Sequence, residues 1–551
     1  IISLDAHENF HGPHGLIAGS TGSGKSEFII TYILSLAINY HPNDVNFLLI
    51  DYKGGGLAGA FQKQNIKLPH LVGTITNIDK HGLERSLTSI QSELRRREII
   101  FNEARNITNE STIDIYKYQK LYHNGIVKEP VSHLFIICDE FAELKQQQPE
   151  FMDELVSVSR IGRSLGVHLI LATQKPNGVV DDQIRSNSKF RICLKVQDPS
   201  DSQDVILKPD AAFLKNPGQF YLKVGHNEYF VLGQSGWAGA PYISSNTPIK
   251  RMDNSVEFIS NIGFPIKKID EKPAKAYTNN GEQLANIFNY ICNLANQEKI
   301  STHNLWLDNI PGDIYLDDLR KKYNVKINNN IQAIIGEYDD PSNQRQGLVE
   351  LNLSKRENTI IYGNAESGKE TLLSTLTFDL INNYSVEQAN IYILDFGTES
   401  LKIYKNSPNV GDIIFMGQDE KLTTFFDMLQ KIIKDRKQIL SNYSGNYELY
   451  IKNGNTMPVI TILLNNYEAF NEMYENQFDD IFLTITREGP TVGVTFVVTM
   501  SSTSSMRYRL TSNFNKKIAL MLNDENDYYS IFDNVKNKRP THMFGRGLVL
   551  I

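Results

Sequence analysis

Two stretches of the chain share the outline of a phosphate-binding loop, G-x-x-x-x-G-K, and differ in the residue after the lysine. GSTGSGKS at residues 19–26 ends in serine, and GNAESGKE at residues 363–370 ends in glutamate. In the first, Gly19, Ser20, Thr21, Gly22, Ser23 and Gly24 supply a flexible backbone. Its N–H groups turn towards phosphates at the positive end of the helix that opens with Lys25, Ser26 and Glu27. Lys25 would reach the β- and γ-phosphates of a nucleotide, and the Ser26 hydroxyl would ligate Mg²⁺. Further on, the apolar run LFIICDE ends in two acids. Asp139 suits the Mg²⁺ shell, and Glu140 can orient and deprotonate the attacking water, help worth roughly 10²–10⁴ in rate. ILATQ ends in Thr173 and Gln174, expected at the tip of a strand lying between the two motif strands, within reach of the γ-phosphate. Arg160, Arg163 and Arg191 are candidates for a positive charge on the transferred phosphoryl group, and Arg163 is the residue we select. The chemistry would be hydrolysis of a nucleoside triphosphate.

The second loop lacks those parts. Gly363, Gly368 and Lys369 are kept, but Glu370 stands where Ser26 stood. LLNNYEAF aligned to ICDEFAEL puts Asn465 and Asn466 in place of Asp139 and Glu140, and Met500 and Ser501 in place of Thr173 and Gln174. Both Mg²⁺ positions and the catalytic acid are gone together, and Glu370 brings a negative charge towards the phosphates. The expectation is a fold kept without hydrolysis and used as a surface for binding or regulation.

These residues need elements to hold them, and the chain is one module written twice. The loops begin at 19 and 363, FLLIDYKGGGL at 47 aligns with IYILDFGTESL at 391, RIGRSLGVHLILATQ at 160 with REGPTVGVTFVVTMS at 487, and RICLKVQDPSDSQDVI at 191 with KIALMLNDENDYYSIF at 517. The apolar runs are short, β-branched and unalternating, as strands buried on both faces of a parallel sheet are. Helical patterns lie between them. Two tandem α/β P-loop modules follow, each a mostly parallel sheet with helices on both faces. A Lys/Pro/Asn-rich stretch at 261–280 suggests a division into 1–265 and 266–551, and the helical spacing of GEQLANIFNYICNLANQE follows it. The second copy has far more chain ahead of its loop than the first. We therefore expect a piece of a longer protein, shortened on its N-terminal side.

Composition narrows the class. The 551 residues are 41% hydrophobic with a formal net charge of −7, which is globular and lacks the strongly basic balance usual for nucleic-acid binding. No apolar run is long enough to span a bilayer, and the N-terminus does not read as a signal peptide. Three scattered cysteines fit a reducing compartment. ELRRRE, with Arg95 to Arg97, reads as a solvated helix face. His7, His11 and His14 lack the companions a zinc site needs.

The motifs HGPHGLIAGSTGSGKSEF, LLIDYKGGG, LPHLVGTITN, HLFIICDEFAELK, RIGRSLGVHLILATQKP and SNSKFRICLKVQDPSDS resemble the FtsK/SpoIIIE branch of P-loop ATPases. Within it they are most similar to the tandem-ATPase membrane proteins of type VII secretion systems, the EssC/EccC type. The resemblance covers nearly the whole chain. It implies an ATP-driven motor for protein export on the cytoplasmic side of a membrane. The implied cargo is small helical-hairpin proteins and other substrates with a C-terminal export signal, the last module being implicated in reading that signal. It also implies partnership with other membrane components of the system, and a homo-hexamer whose active sites are completed by a neighbour's arginine, here Arg163. Nucleic acid is not an expected partner. The alternative is a double-stranded DNA translocase, which uses the same motor. A third possibility is a binding platform that barely hydrolyses ATP.

Overall fold

The computed structural model describes residues 2–51, 56–63, 66–76, 80–225, 228–242, 256–269, 281–305, 307, 310–327, 330–475, 477–532, 535, 540 and 543–550. Residues 52–55 of the LLIDYKGGG motif and residues 270–280 of the dividing stretch lie outside them. The chain forms two compact units, residues 1–308 with 340–345, and residues 309–339 with 346–551.

The first unit is built on an eight-stranded sheet. Its strands are β1 (Gly15–Ala18), β2 (Val45–Asp51), β3 (Leu71–Thr76), β4 (His133–Asp139), β5 (Val167–Thr173), β6 (Phe190–Leu194), β7 (Gln219–Val224) and β8 (Tyr229–Gln234), in the order β8-β7-β6-β1-β5-β4-β2-β3. From β6 to β3 every neighbouring pair is parallel, and β7 and β8 extend one edge antiparallel. Strand β5 lies between β1 and β4, as ILATQ predicted. Alternate residues serve opposite cores: Leu48 and Ile50 face one cluster, Phe47 and Leu49 the other. Both faces are apolar because helices cover both.

Helices α1 (Lys25–Asn39), α2 (Lys80–Thr108), α3 (Phe141–Gln147), α4 (Pro149–Gly162) and α5 (Gln283–Gln297) belong to this unit. Helix α5 falls beyond the boundary suggested by composition. Its apolar face, with Phe288, Cys292 and Ala295 buried, joins the core beside α1 and so stays with the first unit.

The second unit repeats the design with β9 (Thr359–Tyr362), β10 (Ala389–Asp395), β11 (Val410–Phe415), β12 (Val459–Asn465), β13 (Val494–Met500), β14 (Lys516–Ala519) and β15 (Leu548–Val549), ordered β11-β10-β12-β13-β9-β14-β15. All pairs are parallel except β14 with β15. Helices α6 (Lys369–Asn383), α7 (Asp419–Leu440) and α8 (Tyr467–Met473) take the places of α1, α2 and α3.

The arginine run of α2 is only in part the solvated face that its composition suggested: Arg95 is exposed, but Arg97 is not. Arg97 is 2% exposed, and its guanidinium donates to the carbonyls of Ser132 and Leu165, both at 2.8 Å, and to Glu93 Oε1 at 2.8 Å. In the second unit Arg436 of α7 donates to Pro458 O (2.8 Å) and Val492 O (3.0 Å). These are the equivalent carbonyls, just ahead of the strand pairs β4/β5 and β12/β13. Burial pushes both guanidinium pKa values down, that of Arg436 to about 10. Buried carbonyls without a partner are costly, and a guanidinium satisfies several at once.

Candidate functional site

The C-terminal ends of β1, β2, β4 and β5 converge, and the loop of residues 19–26 joins β1 to α1 there. Gly22 and Gly24 sit at φ 80° and 91°, a region closed to most side chains. Gly24 is needed for a second reason: a Cβ there would come within 2.9 Å of the Gly218 backbone nitrogen. The loop is tied to the sheet by Gly19 N–H to Thr173 O (3.2 Å) and Ser20 N–H to Lys195 O (2.8 Å). Helix α1 has Gly24 as its N-cap with no side-chain cap, so its first-turn N–H groups present the positive helix end to an anion.

Lys25, 5% exposed, forms an ion pair with Asp139 at the end of β4. Asp51 ends the neighbouring strand β2, paired in register with Asp139, and its Oδ2 accepts the Leu57 N–H at 2.9 Å. Sequence reading missed Asp51, although LLID had the same form as LFIICD. Ser26 is exposed in the first turn of α1. Hydroxyl and carboxylate oxygens are the donors a Mg²⁺ ion takes, so Ser26 and Asp139 fit it.

Glu140 is 3% exposed and adopts φ 59°, ψ 50° at the N-cap of α3. This left-handed geometry is strained for a glutamate and turns the side chain towards the tip of β5. There its Oε1 accepts the Thr173 hydroxyl at 3.0 Å and the Gln174 N–H at 3.1 Å. The Gln174 side chain accepts the Thr21 hydroxyl at 2.9 Å. The structure thus brings Thr21, Lys25, Asp139, Glu140, Thr173 and Gln174 together.

Arg163 is not among them. It follows α4, at the end of β5 away from Thr173, which over seven residues of strand is roughly 20 Å. Half-exposed and 4.0 Å from Glu8, it lines a cavity of about 560 Å³ with Lys189 and Arg191. His14, buried beside it, accepts the Leu169 N–H at 3.0 Å, and burial lowers its pKa to about 3. Among the described residues no cluster of three or more His, Cys, Asp or Glu is arranged to hold a metal ion by itself.

In the second unit the same place is closed by its own side chains. Glu370 Oε2 accepts the hydroxyls of Thr398 (2.6 Å) and Ser400 (3.2 Å), and its Oε1 accepts Asn465 Nδ2 at 3.4 Å. The same Nδ2 donates to Asp395 Oδ1 at 2.9 Å, while Asn465 Oδ1 accepts the Thr499 hydroxyl at 3.0 Å. An amide hydrogen pair sits between two carboxylates where a cation would otherwise be needed, so this donor set does not fit Mg²⁺. Asn466 caps α8 through Ala469 N–H (3.2 Å). Lys369 donates to the carbonyls of Gly363 and Asn364 in its own loop, and burial lowers its pKa against the pull of Glu468 and Glu370. Glu366 occupies φ 60° at the position of Gly22. Glu468, at the position of Ala142, was also missed. Its Oε1 accepts Ser501 N–H (2.6 Å), Ser501 Oγ (3.0 Å), Ser502 N–H (3.2 Å) and Ser505 Oγ (2.9 Å). Burial alone would raise the Glu468 pKa, but these bonds hold it below the ordinary value.

Residues 2–178 and 338–547 match the FtsK/SpoIIIE family. The chain is 40% identical over 97% of its length to the type VII secretion system protein EssC of Staphylococcus aureus strain MRSA252. It is 36% identical over 97% of its length to the ESX secretion system protein YukB of Bacillus subtilis strain 168. It spans 36% and 35% of those relatives, about a third of their length. The cytoplasmic domain of the type VII secretion ATPase EccC from Thermomonospora curvata shares the fold, with a TM-score of 0.75 at 23% identity over 99% of this chain and 61% of that one.

Proposed function

The chain belongs to the FtsK/SpoIIIE family, and from that premise we propose that it is an ATP-driven motor segment of a type VII secretion system. Its first unit hydrolyses ATP, and its second reads the cargo or governs the first. The observation that carries this is the contrast between the two loop ends. One gathers Lys25, Asp139, Glu140, Thr173 and Gln174, and the other spends its polar groups on one another.

In the first unit the loop N–H groups and Lys25 bind the phosphates, with Lys25 leaving Asp139 to do so. Ser26 and Asp139 would hold Mg²⁺, which when bound neutralises charge on the phosphate oxygens. Glu140 takes the proton of the attacking water. Thr173 and Gln174 complete the wall of the site. Arg163, at the far end of β5, serves a neighbouring copy's nucleotide in a homo-hexamer, a contribution worth roughly 10³–10⁵ in rate. The chain works at the cytoplasmic face of a membrane with the other secretion components. Among the described residues no helix is long and apolar enough to cross one.

Cargo is exported helical-hairpin protein, and the edge of the second sheet supports a reading site there. In the first unit the edge strand β3 is covered by residues 301–305: Leu305 donates its N–H to Val72 O at 3.1 Å and is 2% exposed. Among the described residues the matching edge β11 has no such cover, and a cavity of about 900 Å³ lined by Tyr392, Ile414, Phe425 and Met428 lies against it. An extended export-signal peptide adding to that edge would reproduce the first unit's arrangement.

Two measurements test the reading. Lys25→Ala should abolish turnover and Lys369→Ala should leave it intact; the reverse would move the active site to the second unit. A labelled export-signal peptide should bind the full chain saturably at physiological salt, where a DNA duplex does not, since phosphate contacts alone mimic affinity at low salt. Binding of the duplex alone would make the chain a DNA translocase.

A further inference from the structure

In both units the tip of the central strand is held by a carboxylate, but not by the same one. In the second unit Glu468 accepts the Ser501 N–H at 2.6 Å, together with Ser502 N–H and the hydroxyls of Ser501 and Ser505. Ser501 is the counterpart of Gln174. In the first unit the Gln174 N–H goes to Glu140 at 3.1 Å, and Ala142 fills the position of Glu468. The strand tip therefore needs an acidic anchor, and the first unit uses its own candidate base as that anchor.

The Thr173 hydroxyl, fully buried, adds a second bond to the same Glu140 oxygen at 3.0 Å. The Thr21 hydroxyl of the phosphate loop reaches the Gln174 side chain at 2.9 Å. Gln174 thus links the loop to the carboxylate, its side-chain oxygen bonded to Thr21 and its backbone N–H to Glu140. In the second unit Met500 replaces Thr173, and Asn466 is turned away to cap α8.

We propose that Thr173 and Gln174 form a latch that holds the Glu140 carboxylate against the tip of β5, and that filling the phosphate loop opens it through the Thr21–Gln174 link. This rests on the first unit being the hydrolase. Thr173 is then a positioning residue in the closed state: its bond is broken when ATP binds, so the bond opposes binding. The second unit, anchored by Glu468, has no latch to open.

The test is a titration of the full chain, carrying Lys369→Ala to silence the second loop, with a fluorescent non-hydrolysable ATP analogue and Mg²⁺. Thr173→Val, which keeps shape but loses the hydroxyl, should bind the analogue tighter by roughly 10- to 100-fold, the value of one hydrogen bond to a charged group. Thr173→Ser should restore the unsubstituted affinity, and Thr173→Ala should repeat the valine result should the branched side chain disturb folding. Equal or weaker binding by both Thr173→Val and Thr173→Ala overturns the latch, weaker binding because the hydroxyl would then be contacting the nucleotide. Turnover is measured separately. A chain with the affinity shift but no hydrolysis loses the hydrolase reading, and one that hydrolyses ATP without the shift loses the latch.

Discussion

Replacing Asn465 by aspartate changes one NH₂ group to an oxygen with almost no change of shape. It also inverts the electrostatics of the closed site. Asn465 Nδ2 now donates to Asp395 Oδ1 at 2.9 Å and faces Glu370 Oε1 at 3.4 Å. Asn465→Asp would set three carboxylates together, with Asp395 and the new side chain nearly out of solvent. The lost charge-assisted hydrogen bond costs about 1.5–3 kcal/mol. Like charges about 3 Å apart repel by roughly 5 kcal/mol at an effective dielectric of 20. Protonating one acid at pH 7 limits that repulsion, at about 1.4 kcal/mol for each unit between pH 7 and an ordinary pKa near 4. The added proton restores a hydrogen bond between the two acids, so the variant should lose about 4 kcal/mol, a large share of the roughly 5–15 kcal/mol that holds a domain. Urea denaturation with a metal chelator present measures the loss. Hydrogen exchange locates it: protection should fall along β12 and persist along β4, the internal control. The folded variant retains a proton that its unfolded chain releases, so the deficit grows with pH and shrinks on acidification towards pH 4. A deficit below about 1 kcal/mol at pH 7.5, or one that does not change with pH, would refute the reasoning.

Glu140→Gln keeps both hydrogen bonds from the tip of β5 but cannot take a proton; turnover should fall roughly 10²–10⁴-fold while labelled nucleotide still binds. Arg97→Met leaves the Ser132 and Leu165 carbonyls without their donor and Glu93 with one guanidinium fewer, so calorimetry should find the first unit weakened by about 3–5 kcal/mol. Glu366→Gly relieves an exposed residue at φ 60° and should stabilise the second unit by about 0.5–1 kcal/mol, roughly 2 °C in its melting temperature. Burial lowers His14 and His168 to about 3 and about 4, and His133 well below its usual value. The unfolded chain then binds more protons below pH 6.5, so the urea midpoint of the first unit should fall as pH drops from 6.5 towards 4.

The architecture was readable because both copies repeat the same order of apolar strands, and the loop residues were readable because the G-x-x-x-x-G-K pattern sets Gly19, Gly24 and Lys25 at fixed spacing. What the sequence hid depends on partners far along the chain. Arg97 looks like one arginine among three until the Ser132 and Leu165 carbonyls are placed beneath it. Glu468 looks like a helix-surface acid until the Ser501 N–H arrives from the next strand. Helix α5 carries an apolar face without stating which core it joins. The dividing stretch marked a change of composition, which is not the same as the edge of a packed unit.

The paired arginines separate shape from reaction. Arg97 and Arg436 grip the carbonyls that precede the central strands, while the phosphate loops and acids sit where those strands end. Substitutions at one end leave the support at the other untouched. After a duplication, the loop end of one copy can change by drift while the fold keeps its support, free for selection to reshape its surface.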